Sequence, residues 1–223
     1  MGNSDMLTYL PGILLLGFSC FYGMARLFKR KVPMYFQLAV CAVWSYTVQL
    51  IYSILIIVCA DNFHNDDNLS FLGIAGMFTF LASSNYGQFN TLVDEGDKKL
   101  RPIRLTAAAA PLTAAAYYAF ICLRYRERGG WFTLIFAVVM IPLAVSSYYN
   151  LKILLMRDDG SGFIRGAKPL NAAALAATVL YMLYILASLE EWLVFGTAVS
   201  VAGSLAIASI VFLADWGRKQ WLK

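Results

Sequence analysis

Apolar runs of about twenty residues follow one another along almost the whole chain, and no water-soluble core could shelter them all. In a bilayer, whose hydrocarbon layer is about 30 Å thick, each run is the length of one crossing helix. Only 14% of the residues are charged, against roughly a quarter in soluble domains, so too little polar side chain exists to coat a soluble surface. The pattern predicts seven spans, at 8–28, 33–59, 70–92, 103–123, 131–154, 170–189 and 193–215. The chain reads as one all-α transmembrane domain over 1–223, with "LEEW" (Leu189–Trp192) as the tightest boundary.

Basic residues set the orientation, because cytoplasmic loops hold the excess of Lys and Arg. With the N-terminus outside, 15 of the 18 basic residues lie inside and only Arg124, Arg126 and Arg128 lie outside. The acidic "DNFHNDDN" falls outside, and Trp131, Trp192, Trp216 and Trp221 fall at the two interfaces. The expectation is N-out, C-in. The net charge of +5 then reflects topology, and nucleic acid is excluded as a partner because the basic residues are scattered over short loops. The partners expected are the lipid bilayer and a small solute of unknown identity, with a protein partner or a homo-oligomer left open. A plasma or cell inner membrane is expected in preference to an organelle membrane.

A motif recurs at even spacing. Four of the fourteen serines have an aromatic three residues on: Ser19–Tyr22, Ser83–Tyr86, Ser146–Tyr149 and Ser209–Phe212, at steps of 64, 63 and 63. All four fall in odd-numbered spans at similar depth, each before a charged segment. Basic residues then precede Pro33, Pro102 and Pro169, each expected in a first helical turn, where proline forfeits no hydrogen bond. The implied unit is a helical hairpin, at 10–67, 74–130 and 137–193, with a half-copy at 200–223.

Polar groups within the spans need partners, water or a ligand, since hydrocarbon offers none. Span two carries Gln37, Cys41, Ser45, Gln49 and Ser53 at steps of four, a slanted ridge. "SSNYGQFN" (Ser83–Asn90) in span three and "SSYYN" (Ser146–Asn150) in span five add Asn85, Tyr86, Gln88, Tyr149 and Asn150, and span six adds Tyr181. The ligand-binding set expected is therefore Gln49, Asn85, Tyr86, Gln88, Tyr149, Asn150 and Tyr181, one wall of a polar pocket, with Glu190 and Glu191 at the outer mouth. Packed interhelical contacts are the competing reading.

Catalytic chemistry is not in view. The single histidine, His64, lies in a loop, which leaves no histidine pair for haem or set for catalytic zinc. No nucleophile elbow, P-loop or H-E-x-x-H occurs. No cofactor, metal or enzyme activity is expected. The outline resembles that of the SWEET and PQ-loop transporters, but Tyr22-Gly23, Tyr86-Gly87 and Tyr149-Asn150 stand where the Pro-Gln pair belongs. No family is assigned on that outline. The leading expectation is a small-solute transporter or ligand-binding membrane component. A non-catalytic subunit or seven-helix sensor acting through a partner is the alternative, and an intramembrane lipid-processing enzyme the third.

The orientation is tested by labelling intact cells with a membrane-impermeant thiol reagent. Single cysteines placed in 61–68 should react from outside and those in 158–167 should not. Labelling of the second set would reverse the topology.

Overall fold

The computed structural model describes residues 3–28, 32–58, 69–87, 98–158 and 162–221. Their regular elements are all helices: α1 (Asn3–Leu27), α2 (Met34–Val58), α3 (Ser70–Asn85), α4 (Arg101–Ala107 and Ala109–Arg124), α5 (Gly129–Leu155), α6 (Phe163–Leu189) and α7 (Leu193–Trp221). Five stretches are long and apolar enough to cross a membrane, Met34–Ile56, Lys98–Arg124, Arg126–Leu155, Phe163–Leu189 and Leu193–Gln220, and Gly12–Leu27 is a shorter apolar helix. The end of span three, 88–92, including Gln88 and Asn90, lies outside the described residues.

The polarity of the bundle is that of a protein solvated by hydrocarbon. Leu14, Phe21, Val48, Leu112, Leu123 and Ile141 are exposed, while Ser19, Thr47, Ser146, Asn150, Asn171 and Thr178 are buried. In water this arrangement would leave large apolar side chains hydrated and strip polar ones of water, costly on both counts. In lipid both terms favour it. Buried hydroxyls also bond their own helix, as Thr47 Oγ1 does to the Val43 carbonyl at 2.7 Å and Thr178 Oγ1 to Ala174 at 3.0 Å.

Six helices close a ring in the order α1, α2, α3, α5, α6, α7 and back to α1; α2 also touches α7 across it, and α4 stands outside against α5. Between α2 and α3 the approach depends on Gly73. A Cβ there would stand 2.5 Å from the Gln49 Cβ and 2.8 Å from the Ser45 carbonyl oxygen. Small residues supply such contacts in membranes, where apolar burial between helices gains little over lipid. The polar ridge of α2 is thus partly a packing seam against α3.

Proline and turn chemistry explain the breaks. The two segments of α4 meet at Ala108, and Pro111 stands four residues after Ala107. Lacking an N–H, Pro111 cannot bond the Ala107 carbonyl, and its ring crowds that oxygen; the bonds on either side, Ala108 to Arg104 and Leu112 to Ala108, persist. Pro33 and Pro102 stand at helix starts as expected, but Pro169 lies inside α6, because that helix begins at Phe163 rather than near 170. The bond Pro169 forfeits is to the carbonyl of Arg165, an exposed residue in the first turn of the helix. The α6–α7 reversal is a Schellman turn, with the Trp192 N–H on the Ala187 carbonyl at 2.8 Å and Glu191 at φ 58°. That geometry lets three residues join two long antiparallel helices.

Gly73→Leu should lower the thermal midpoint, since forcing a side chain into a closed helix seam costs about 1–3 kcal/mol. Gly17→Leu, where a Cβ would meet nothing within 4 Å, should leave it unchanged. A thiol-reactive dye reporting the buried free Cys20 reads both; equal midpoints would remove the seam's importance.

Candidate functional site

Two polar centres lie inside the ring at different depths. The first is a junction of three asparagines from three helices. Asn85 on α3 donates both Nδ2 hydrogens, one to Asn150 Oδ1 on α5 and one to Asn171 Oδ1 on α6, each at 2.7 Å. Asn150 Nδ2 continues to Ser146 Oγ at 3.2 Å and Asn171 Nδ2 to the Ala167 carbonyl at 2.9 Å. All three asparagines are at most 2% exposed. The junction remains one acceptor over, because Asn85 Oδ1 is buried with no partner, as is the neighbouring Ser84 Oγ.

The second centre is a cavity of about 30 Å³ between α2, α3, α6 and α7. Tyr46, Gln49, Met77, Tyr181, Tyr184 and Ser200 are among its lining residues. Gln49 Nε2 donates to Ser53 Oγ at 3.1 Å, but Gln49 Oε1 is buried and unpartnered. An amide carbonyl in that state gives up about 1–3 kcal/mol relative to a satisfied one. A space this size accepts a water-sized guest and is well below the roughly 300 Å³ at which metabolite pockets begin.

The residues expected to form one wall therefore separate. Asn85 and Asn150 meet in the junction, and Gln49 and Tyr181 meet at the cavity. Tyr86 and Tyr149 meet elsewhere, their rings edge to face at 5.8 Å, in an apolar groove of about 770 Å³ between α3 and α5 that also takes in Met34, Thr79, Pro142 and Val145. Tyr86 is 56% exposed, because consecutive helical residues point about 100° apart and Asn85 takes the inward direction. Gln88 lies outside the described residues. At the α4–α5 end, Glu190 accepts a hydrogen bond from Tyr125 Oη and sits 3.7 Å from Arg124, while Glu191 is exposed. The bond to Glu190 also pushes the Tyr125 phenol up from its ordinary pKa.

The Ser-x-x-aromatic motifs meet two by two rather than on one axis. Ser19 Oγ donates to the Ala208 carbonyl at 2.8 Å, and Tyr22 packs on Phe212 with ring centroids 4.7 Å apart, joining α1 to α7. Tyr86 and Tyr149 join α3 to α5 in the same way.

Sequence reasoning missed Asn171. It stands two residues after Pro169, in "KPLNAAA", where it read as part of a helix start; the signal available was a carboxamide within an otherwise apolar span. Lys152, counted among the inside cations at the end of span five, is in the last turn of α5 and only 3% exposed.

No family model, no curated protein and no solved structure matches this chain. Geometry alone therefore assigns the roles. Asn85→Leu should strand the Asn150 and Asn171 oxygens together and lower stability by about 1–3 kcal/mol. Asn171→Leu made in that background should cost less than it does alone, since the two side chains share one bond. Strictly additive losses in a double-mutant cycle would dissolve the junction into separate contacts.

Proposed function

We propose that the chain is a seven-span, N-out membrane protein without enzyme activity that binds a small solute in the α2–α3–α6–α7 cavity, as a transporter or ligand-binding component does. The observation that carries this reading is the buried, unpartnered Gln49 carbonyl beside that cavity. A helix-packing role alone would be served as well by leucine, without a desolvated acceptor. Tyr46, Tyr181 and Tyr184 add phenol groups that both donate and accept. They let the site hydrogen-bond a neutral polar guest from several helices. At this size the guest is water-sized, so a larger solute enters only if the helices lining the cavity draw apart.

A second reading rests on the α3–α5 groove. Its size and apolar lining suit a non-catalytic subunit that works through a membrane partner seated on the flank. The two readings place function on opposite sides of α3.

Gln49→Leu and Tyr181→Phe should each leave the protein folded and inserted while reducing solute binding or uptake, and their effects should be less than additive because they line one space. Uptake into cells or proteoliposomes carrying each variant, beside the Cys20 unfolding signal, checks this. Full activity in both variants would sink the cavity reading and leave the flank groove as the better one.

A further inference from the structure

At the end of the bundle where α1 and α7 both terminate, one buried carboxylate is surrounded by three cations. Asp215 has a side chain 2% exposed; its Oδ2 accepts from Tyr22 Oη at 2.8 Å and lies 3.3 Å from both Arg26 Nη2 and Lys219 Nζ. Its Oδ1 accepts from Arg218 Nε at 3.2 Å and Nη2 at 2.9 Å. Arg26 is fixed further by Nε and Nη2 bonds to Tyr22 Oη at 3.2 and 3.1 Å.

The cluster is not charge-balanced. Three cations face one carboxylate, and the two helix C-termini that the cations also serve contribute about half a negative charge each. Three less one less about one leaves roughly one positive charge in excess. The excess is also directional, because Asp215 is sealed while the side chains of Arg26, Arg218 and Lys219 are 25%, 24% and 55% exposed. Each arginine commits Nε and Nη2 inward and leaves Nη1 without a hydrogen bond to any described residue.

What flanks these donors is apolar. Phe18 and Phe21, 66% and 75% exposed, stand on α1 before Arg26, Phe18 stacks on Phe212 of α7 at 6.0 Å, and Trp216 is 42% exposed. A ligand matched to this seam has an anionic head with bidentate oxygens and a long apolar body. We propose that the terminal α1–α7 seam is a binding site for an anionic phospholipid. Arg26, Arg218 and Lys219 hold the phosphate, and the acyl chains lie along Phe18, Phe21 and Phe212. The site is separate from the solute cavity, so either assignment can fail without the other.

Native mass spectrometry of the detergent-purified full chain, titrated with phosphatidylglycerol and phosphatidylcholine, tests this. Phosphatidylglycerol should be retained in several-fold excess, and Arg26→Gln/Arg218→Gln should abolish the excess. Arg126→Gln/Arg128→Gln, changed at the exposed α4–α5 turn, should keep it. Lys219→Gln, which removes the most exposed of the three cations, should lower it and decides the matter if the double variant unfolds. Inorganic phosphate should not compete. Equal retention of the two lipids, a preference that survives in the seam variants, or competition by inorganic phosphate would each overturn the assignment, the last by showing a free-anion site.

Discussion

Hydrocarbon leaves every polar atom to find its partner inside the protein, and the Asn85 junction is where that demand shapes the bundle most. A carboxamide on α3 spends both its hydrogens on carboxamides of α5 and α6. Three helices, two of them consecutive in the chain, are thereby tied together by one side chain. Water at that position would compete for each bond. In the dry layer nothing does, and the alternative to the bond is a bare acceptor. Single interhelical bonds in membranes average only about 0.6 kcal/mol, so the junction's weight comes from stranding two partners at once when Asn85 is lost.

Close backbone approach sets the other seams. Gly73 leaves no room for a side chain between α2 and α3, where Ser45 and Gln49 take the space. On the far side, Ser19 and Tyr22 tie α1 to α7 through a carbonyl, a ring and a buried carboxylate. Polar and small residues face in at the seams beside a buried apolar core that includes Leu16, Phe36, Phe78 and Leu143, while other leucines and phenylalanines face out. The outward ones follow from the solvent, because apolar burial between helices gains little where the surroundings are already apolar.

The helices themselves were legible because the bilayer fixes their length, and the prolines at 33, 102 and 111 mark starts or breaks that the backbone chemistry enforces. Gln49 and Tyr181, or Asn85 and Asn150, could be named as inward polar groups by the cost of exposing them to lipid. Their grouping could not be read, because which helices become neighbours is decided by packing and not by depth. Adjacent residues in one polar block part company for the same reason. Asn85 turns to the junction and Tyr86 to the flank, since a helix cannot aim both at one place. Asn171 escaped notice because it follows Pro169, which marked a helix start that lies a further two turns back, at Phe163.

The two polar centres share two of their helices. Asn171 and Tyr181 are ten residues apart on α6, so roughly 15 Å of continuous helix separates the junction from the cavity. On α3, Met77 and Asn85 are eight apart, roughly 12 Å. Proline interrupts neither stretch, and both are helical throughout. The junction clamps these two rods to each other and to α5, whereas α2 and α7 line the cavity without reaching the junction. A guest that widened the cavity would therefore meet α3 and α6 as a braced pair. The opening it finds least resisted is against α2 and α7, unless Asn85 first lets go.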